Sequence, residues 1–582
     1  MPVGGKRVSR WFLAGFAGLV VACGGASSDA EAPGPASESP DTGNRPDAGL
    51  PPPGGDDGGT PDAGPPDGTP DGGAPDGGPP PEQPTVCAPT AGEARWVLEG
   101  EPVSATVTCG TGHAAAGLRF AVDNLPPGAH FDETTGTLSW TPGKDQAAVW
   151  HLTLREQTTG ETGTLKVGVA ENESAPGNVP IVDPAAYTEE FGLPVFHLSY
   201  EGKLTAGGHR PVQLVYRGKR FNLEAKYRGA TSSVFPKRSL TLKFPDEDLF
   251  SEPVFGNGFK DRKRVVLITT FNDNSYLRSR LAFDVWSRMS PAHIHIRTYS
   301  AVLYANNEYV GLFTVADHVN KRLVAAHGLD KDSDVFKAED HRANFSRLRK
   351  DGTPKGNLYE GFEKSEGTPE EGEPGAFATL EEITAFVADS DADTFRTGFA
   401  QRMNTQDYQD WWIFNTLILG TDSQAKNAYH AYDPTTGGPW RYIPWDLDAS
   451  FGQMYDTRRT SPTARPTFRE DNLIFQRLLD DPALAGPMRE RYRALLRDAL
   501  KVDVVMALID RYVQETAPSA RRDWAKWGEK HRNFGDPNDP WGGSGNFPHW
   551  HTRQDFNSYE EEVEYVRQWV RTRWDALEER LP

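Results

Sequence analysis

Residues 24 to about 85 divide this chain into parts with different obligations. The stretch is built from Pro, Gly, Asp and Ala, in repeats such as Pro-Asp-Gly-Thr-Pro-Asp-Gly-Gly-Ala-Pro-Asp-Gly-Gly. Such a composition buries too little apolar surface to offset chain entropy, so it reads as a disordered, extended tether. Any fold must come from the roughly 500 residues that follow, enough for two or more domains. The tether holds 12 acidic residues and one basic residue, Arg45. With −11 here and +3 on residues 1–23, the residues from 86 onward carry −12 of the chain's −20. An acidic folded part lacks the electrostatic footprint of a nucleic-acid binder.

The segment before the tether predicts a compartment. Lys6, Arg7 and Arg10 precede a short apolar run, Trp11 to Ala22. That run is below the roughly 20 residues needed to span a bilayer, and a basic start plus a short apolar core reads as a secretory signal. The ending Leu19-Val20-Val21-Ala22-Cys23-Gly24 resembles a bacterial lipobox, which implies lipidation of Cys23 and a membrane-anchored, extracytoplasmic protein, at an outer membrane or cell surface. Two other cysteines remain, Cys87 and Cys109. Outside the cytoplasm such a pair is expected as a disulfide.

Residues 86–172 read as all-β. Short strand-like runs at Ala94 to Leu98, Ser104 to Cys109, Gly117 to Val122, His151 to Arg155 and Thr164 to Ala170 are separated by Gly and Pro turns. Leu125-Pro-Pro-Gly128 makes a tight bend, and Gly136 sits where a hairpin needs positive φ. The stretch Phe120 to Pro142, with its Leu-Pro-Pro-Gly, Asp-x-x-x-Gly and Trp-Thr-Pro elements, resembles the immunoglobulin-like domain of bacterial surface proteins. The resemblance implies a β-sandwich spacer or adhesion module.

Residues 179–582 change to mixed α+β character. Val195 to Tyr200, Val212 to Tyr216, Phe221 to Tyr227, Ser239 to Phe244 and Val265 to Thr269 predict strands. Leu277, Leu281, Val285 and Met289, four apart, predict a helix over 276–289. A hairpin is expected around Asn306-Asn307, and helices over 380–388, 407–419, 472–479, 486–500, 503–515 and 559–581. A strand-rich half followed by a helix-rich half suggests two lobes with a cleft between them.

The chemistry concentrates in Asp422-Ser-Gln-Ala-Lys-Asn427 and Trp445-Asp446-Leu447-Asp448. Phosphoryl transfer needs one carboxylate to orient the attacking hydroxyl, and an Asn and a second carboxylate to hold metal on the nucleotide phosphates. Protein kinases space an Asp and an Asn in the same way and place a metal-binding Asp further on. A bare D-x4-N is weak by itself, and its residues also suit a turn.

Four ordered blocks make it specific. They are Lys226-Tyr-Arg-Gly-Ala-Thr-Ser-Ser-Val-Phe-Pro-Lys-Arg-Ser-Leu-Thr-Leu-Lys-Phe244, Asn272-Asp-Asn-Ser-Tyr-Leu-Arg278, Tyr304-Ala-Asn-Asn-Glu-Tyr-Val-Gly-Leu-Phe313, and Asp422…Asn427…Pro444-Trp-Asp-Leu-Asp-Ala-Ser-Phe-Gly452. With these, residues from about 190 to 580 resemble the spore coat protein H (CotH) kinase family of secretory atypical kinases. The resemblance implies an atypical, two-lobed protein-kinase-like domain that binds ATP with Mg²⁺ or Mn²⁺ and phosphorylates Ser or Thr of secreted or surface proteins. Carried over by position, Asp422 is the catalytic carboxylate, Asn427 and Asp446 hold metal, and Asp448 is a further ligand.

The phosphates also need cations. Lys237 and Arg238 precede a strand, and Arg228-Gly229 with Ser232-Ser233 would form a loop over the phosphates; Lys226 and Lys337 compete for the role. The family's lysine-orienting acid falls at Asp317, a shorter carboxylate than the family's Glu. Asp273 and Arg278 are expected to cap a helix and form a salt bridge. The rival reading is a non-catalytic surface or adhesion protein on a pseudokinase-type fold.

Overall fold

The structure is a computed structural model that describes residues 88–109, 117–172, 182–229, 231–269, 271–533 and 558–582. The leader with Cys23, the tether and Cys87 lie outside the described residues. Cys109 is disulfide-bonded.

The first part is a two-sheet sandwich. One sheet orders Arg95–Leu98, Thr162–Ala170, Ala148–Glu156 and Phe120–Asp123; the other orders Val103–Thr106, Thr137–Trp140 and His130–Asp132. Inward residues Phe120, Leu138, Trp140, Leu152, Leu154, Leu165 and Val167 close a separate core. Gly136 adopts φ 64° in the turn before Thr137–Trp140, and a Cβ there would crowd the Phe120 ring at 3.1 Å. The sandwich joins the next part through Lys166–Glu189, the Val149 N–H to Ala186 carbonyl bond at 3.2 Å, and Trp96 against Phe191.

The next strands do not form an open sheet. Leu193–Ser199, Arg210–Tyr216, Lys219–Arg228, Ser239–Lys243, Arg264–Thr269, Glu308–Asp317 and Thr298–Ala305 pair in that order, and Leu193–Ser199 also pairs in parallel with Thr298–Ala305. The sheet therefore closes on itself. Alternation along each strand fills its interior: Phe196 and Leu198, Leu223 and Ala225, Leu240 and Leu242, Val265 and Leu267, Phe313 and Val315 share one core. The hairpin at Asn306-Asn307 turns with φ 50° and 67°, a pair of left-handed residues that Asn tolerates.

A second, antiparallel sheet orders Phe362–Glu366, Asp334–Ala338, Ala428–Tyr432 and Arg441–Pro444. It packs with helices Arg278–Met289, Ala378–Asp389, Thr405–Ile418, Leu473–Asp480, Pro482–Arg497, Val502–Asn533 and Tyr559–Glu579. Thr405–Ile418 is buried at every position from Asp407 to Ile418, so it is a central rather than an amphipathic helix. One continuous core runs from Val195 and Leu281 through Trp411 and Phe414 to Trp574. The barrel thus keeps its own interior core, while its outer face joins the continuous core of the helix-rich half. The expected helix over 503–515 runs on to Asn533, through Pro518. No helix among the described residues is long and apolar enough to cross a membrane.

Within that core His430 is fully buried; its Nδ1 meets the Tyr408 hydroxyl at 3.0 Å. Burial pushes its pKa down to about 3. The unfolded chain binds this proton near pH 6.5 and the folded chain does not. Its stability contribution is therefore complete above pH 6.5 and is lost as pH falls from there toward 3. At pH 5 the loss is about 2 kcal/mol. Replacing His430 with Gln should shrink the stability difference between pH 7 and pH 5, measured by urea unfolding, by about that amount; an unchanged difference would assign the acid sensitivity elsewhere.

Candidate active site

The central helix delivers Asp422. Thr405–Ile418 is capped by the Asn404 side chain on the Asp407 N–H and ends at Leu419 in the left-handed region, φ 49°. Below the loop that follows, Trp411 Nε1 and Asn415 Nδ2 donate to the Ser423 carbonyl at 3.2 and 3.1 Å. Asp422, partly exposed, is gripped from one side. Asn427 Nδ2 donates to its Oδ2 at 2.9 Å and its carbonyl at 3.1 Å, and Lys426 Nζ lies 2.8 Å from Oδ2. His341 Nε2 stands 3.8 Å from Oδ1.

A β-hairpin brings the second carboxylate to the first. Asn427 immediately precedes Ala428–Tyr432, and Trp445-Asp446 immediately follows Arg441–Pro444. Ala428 pairs with Pro444, and the Trp445 N–H donates to the Asn427 carbonyl at 3.0 Å. Asn427 and Asp446 both hold positive φ, 57° and 54°. Non-glycine residues kept in that region by their surroundings cluster at functional sites.

Asp448 completes the group from the far side of Leu447. Asn272 Nδ2 donates to its Oδ2, and Gln453 Nε2 holds the Asn272 carbonyl at 2.8 Å. Burial first, then the neighbouring Asp446 carboxylate, push the Asp448 carboxyl up to about 7, and Asp422 adds to the effect. Three carboxylates and two amides thus lie close enough for Asp446 and Asp422 to act on Asp448. Among the described residues no three His, Cys, Asp or Glu side chains form a ready-made metal cluster. The donor set nevertheless suits Mg²⁺ or Mn²⁺. Its atoms are hard oxygens, and Mg²⁺ is held by one or two carboxylates plus waters and substrate phosphates rather than by a full protein cage.

The loop carrying Asp446 and Asp448 is fixed from below. Arg278 Nε donates to the Ser450 carbonyl at 3.2 Å, while its Nη atoms reach Asp273 and Glu562, each at 2.6 Å. The expected Asp273–Arg278 pair therefore also ties the site loop to helix Tyr559–Glu579, a link the sequence did not reveal.

The predicted phosphate cations separate into two groups. Arg228 lies at the end of Lys219–Arg228, and its guanidinium sits 5.1 Å over the ring of Trp445, the residue that precedes Asp446 in sequence. Gly229 follows at φ 102°, where a Cβ would strike Ser232 Oγ at 1.9 Å, so this tight loop requires glycine. Ser233 is half-buried in the short turn Thr231–Val234.

Lys237 and Asp317 must be reassigned. Lys237 is buried, donates to the Leu312 carbonyl and pairs with Asp523 Oδ2 at 2.6 Å; burial lowers its pKa. Its acid is thus Asp523, on helix Val502–Asn533. Asp317 has the strand parity of Phe313 and Val315, which face the barrel interior, and pairs with Arg262 at 2.7 Å. It lies about 16 Å of extended strand from Leu312. Arg238 is exposed and stacks on Tyr227 at 5.2 Å, with Nε on the Phe235 carbonyl. The partners of Lys237, Asp317 and Arg238 described above, Asp523, Arg262 and Tyr227, lie outside the Asp422–Asp448 group.

A family model described as "CotH kinase protein" matches residues 225–577, and one described as "Putative Ig domain" matches residues 96–170. No curated protein matches the chain. Among solved structures, one titled a "putative alpha-galactosidase/melibiase" from Bacteroides fragilis is 12% identical over 21% of this chain and 21% of its own, at a TM-score of 0.12. That likeness is too slight to inform the fold.

Proposed function

This chain belongs to the CotH kinase family, and on that premise we propose that it is an extracytoplasmic protein kinase. It would transfer the γ-phosphate of ATP to Ser or Thr of secreted or surface proteins, using Mg²⁺ or Mn²⁺. The observation that carries the reading is the hairpin register that sets Asn427 against Asp446, with Asn427 bonded to Asp422.

Asp422 accepts the proton of the attacking hydroxyl and orients that oxygen. Asn427 and Lys426 hold the carboxylate with one oxygen turned to its task. Asp446 and Asp448, with Asn427, would hold the cation, and Asn272 keeps Asp448 in place. When bound, the metal neutralises charge on the phosphates. The short carboxylate at Asp317 pairs with Arg262, so that substitution does not weaken the site. A lipid anchor at Cys23 and the tether would present the immunoglobulin-like and kinase domains away from a membrane surface.

The test compares the full chain with Asp446→Ala for ATP binding and autophosphorylation with Mg²⁺ or Mn²⁺. Wild type should give a metal-dependent signal, and the variant should lose at least about 100-fold in turnover. A wild-type chain that binds no nucleotide with either metal would leave the surface-protein reading in its place.

A further inference from the structure

We infer that Lys337, oriented by Glu339 and joined by Arg228, forms the cationic cradle for the polyphosphate of a nucleoside triphosphate. The inference rests on the kinase reading above and names the residues that would hold its nucleotide.

Other cations near the site are already engaged. Lys426 is paired with Asp422, Arg278 with Asp273 and Glu562, and Lys237 with Asp523. Arg228 makes no ion pair among the described residues and lies over Trp445. Lys337 sits on Asp334–Ala338, one residue before Ala338, whose carbonyl accepts the Asn427 N–H at 3.0 Å. It faces Tyr429 on one neighbouring strand and Glu363 on the other. Tyr429 meets Trp445 edge-to-face at 6.0 Å. Lys337 and Arg228 therefore flank one aromatic surface, a residue or two from Asn427 and Asp446.

The acids around Lys337 complete the device. Its ammonium pairs with Glu339, and the lysine side chain keeps 25% of its surface exposed, so a ligand can reach it. Burial alone would lower the Lys337 pKa, but Tyr429 and Glu339 raise it, so the lysine stays charged. Glu363 is pushed up to about 7, by burial and then by its hydrogen bond with Glu339. Glu363 therefore keeps its proton to higher pH than an ordinary carboxyl, which lessens the negative charge facing Lys337 and Arg228. Arg228 adds a planar fork suited to two phosphate oxygens at once.

The experiment measures equilibrium binding of ATP, ADP and adenosine to the full chain with Mg²⁺, for wild type, Lys337→Gln, Lys337→Arg and Arg228→Gln. Lys337→Gln should weaken ATP and ADP by about 10- to 100-fold, the scale of one lost charge-assisted hydrogen bond, and leave adenosine within about twofold. Lys337→Arg should recover part of the loss. Unchanged ATP affinity in Lys337→Gln, beside a wild type that binds ATP, overturns the cradle and leaves the kinase reading intact. A wild type that binds no ATP overturns both. Should Lys337→Gln unfold, Arg228→Gln carries the test, with the same phosphate-selective loss expected and unchanged affinity overturning the cradle.

Discussion

Replacing Asp422 with Asn lowers phosphoryl transfer by about 10²- to 10⁴-fold, the usual contribution of a positioned acid or base, while ATP affinity stays within about twofold. The reasoning is geometric. Asp422 Oδ2 is taken by Asn427 and Lys426, and its other oxygen has His341 at 3.8 Å. An amide has nearly the shape of the carboxylate and can still meet Asn427, but it cannot accept the hydroxyl's proton. Asp446→Ala acts differently, because it removes a metal donor and should weaken metal-dependent ATP binding as well as turnover. Single-turnover kinetics beside equilibrium binding separates the two. Equal loss of binding and rate in Asp422→Asn would move Asp422 from catalysis to nucleotide binding.

Much of the frame was legible because strand parity and helix spacing are local. The strands around Val195, Val212, Phe221, Ser239 and Val265, and the helix below Leu277, formed within a few residues of expectation. Closure of the barrel was not legible, since it depends on a parallel pairing between Leu193–Ser199 and Thr298–Ala305, about 100 residues apart. The second sheet was missed for another reason. Ala428–Tyr432 and Arg441–Pro444 are short, are buried on both faces and carry no clean alternation. Yet that hairpin sets Asn427 against Asp446. The motif was therefore readable as an ordered set of residue types, while the element joining them was not. Lys237 misled because a lysine before a strand looks solvated. Its true environment is set by Asp523, 286 residues away.

Replacing Arg278 with Met should cost about 3–5 kcal/mol of stability, the scale for breaking a buried ion pair from one side. The guanidinium is fully buried and holds Asp273, Glu562 and the Ser450 carbonyl together. Burial works against its charge, and Glu562 and Asp273 more than reverse that, so its pKa is raised. Without it, Asp273 is left as an uncompensated buried carboxylate, whereas Glu562 keeps Arg459 at 2.7 Å. The melting temperature should drop on the order of 4–6 °C, and Arg278→Lys should rescue little, because one ammonium nitrogen cannot reach the separate positions that Nε and the two Nη atoms occupy. The same loss frees the Ser450 end of the loop that carries Asp446 and Asp448. At temperatures where the variant is still folded, metal-dependent ATP binding should therefore weaken as well. A variant that melts within about 2 °C of wild type would mean that the three anchors are held without Arg278. A variant that loses stability but binds ATP and metal as wild type does would confine the arginine to packing the last helix.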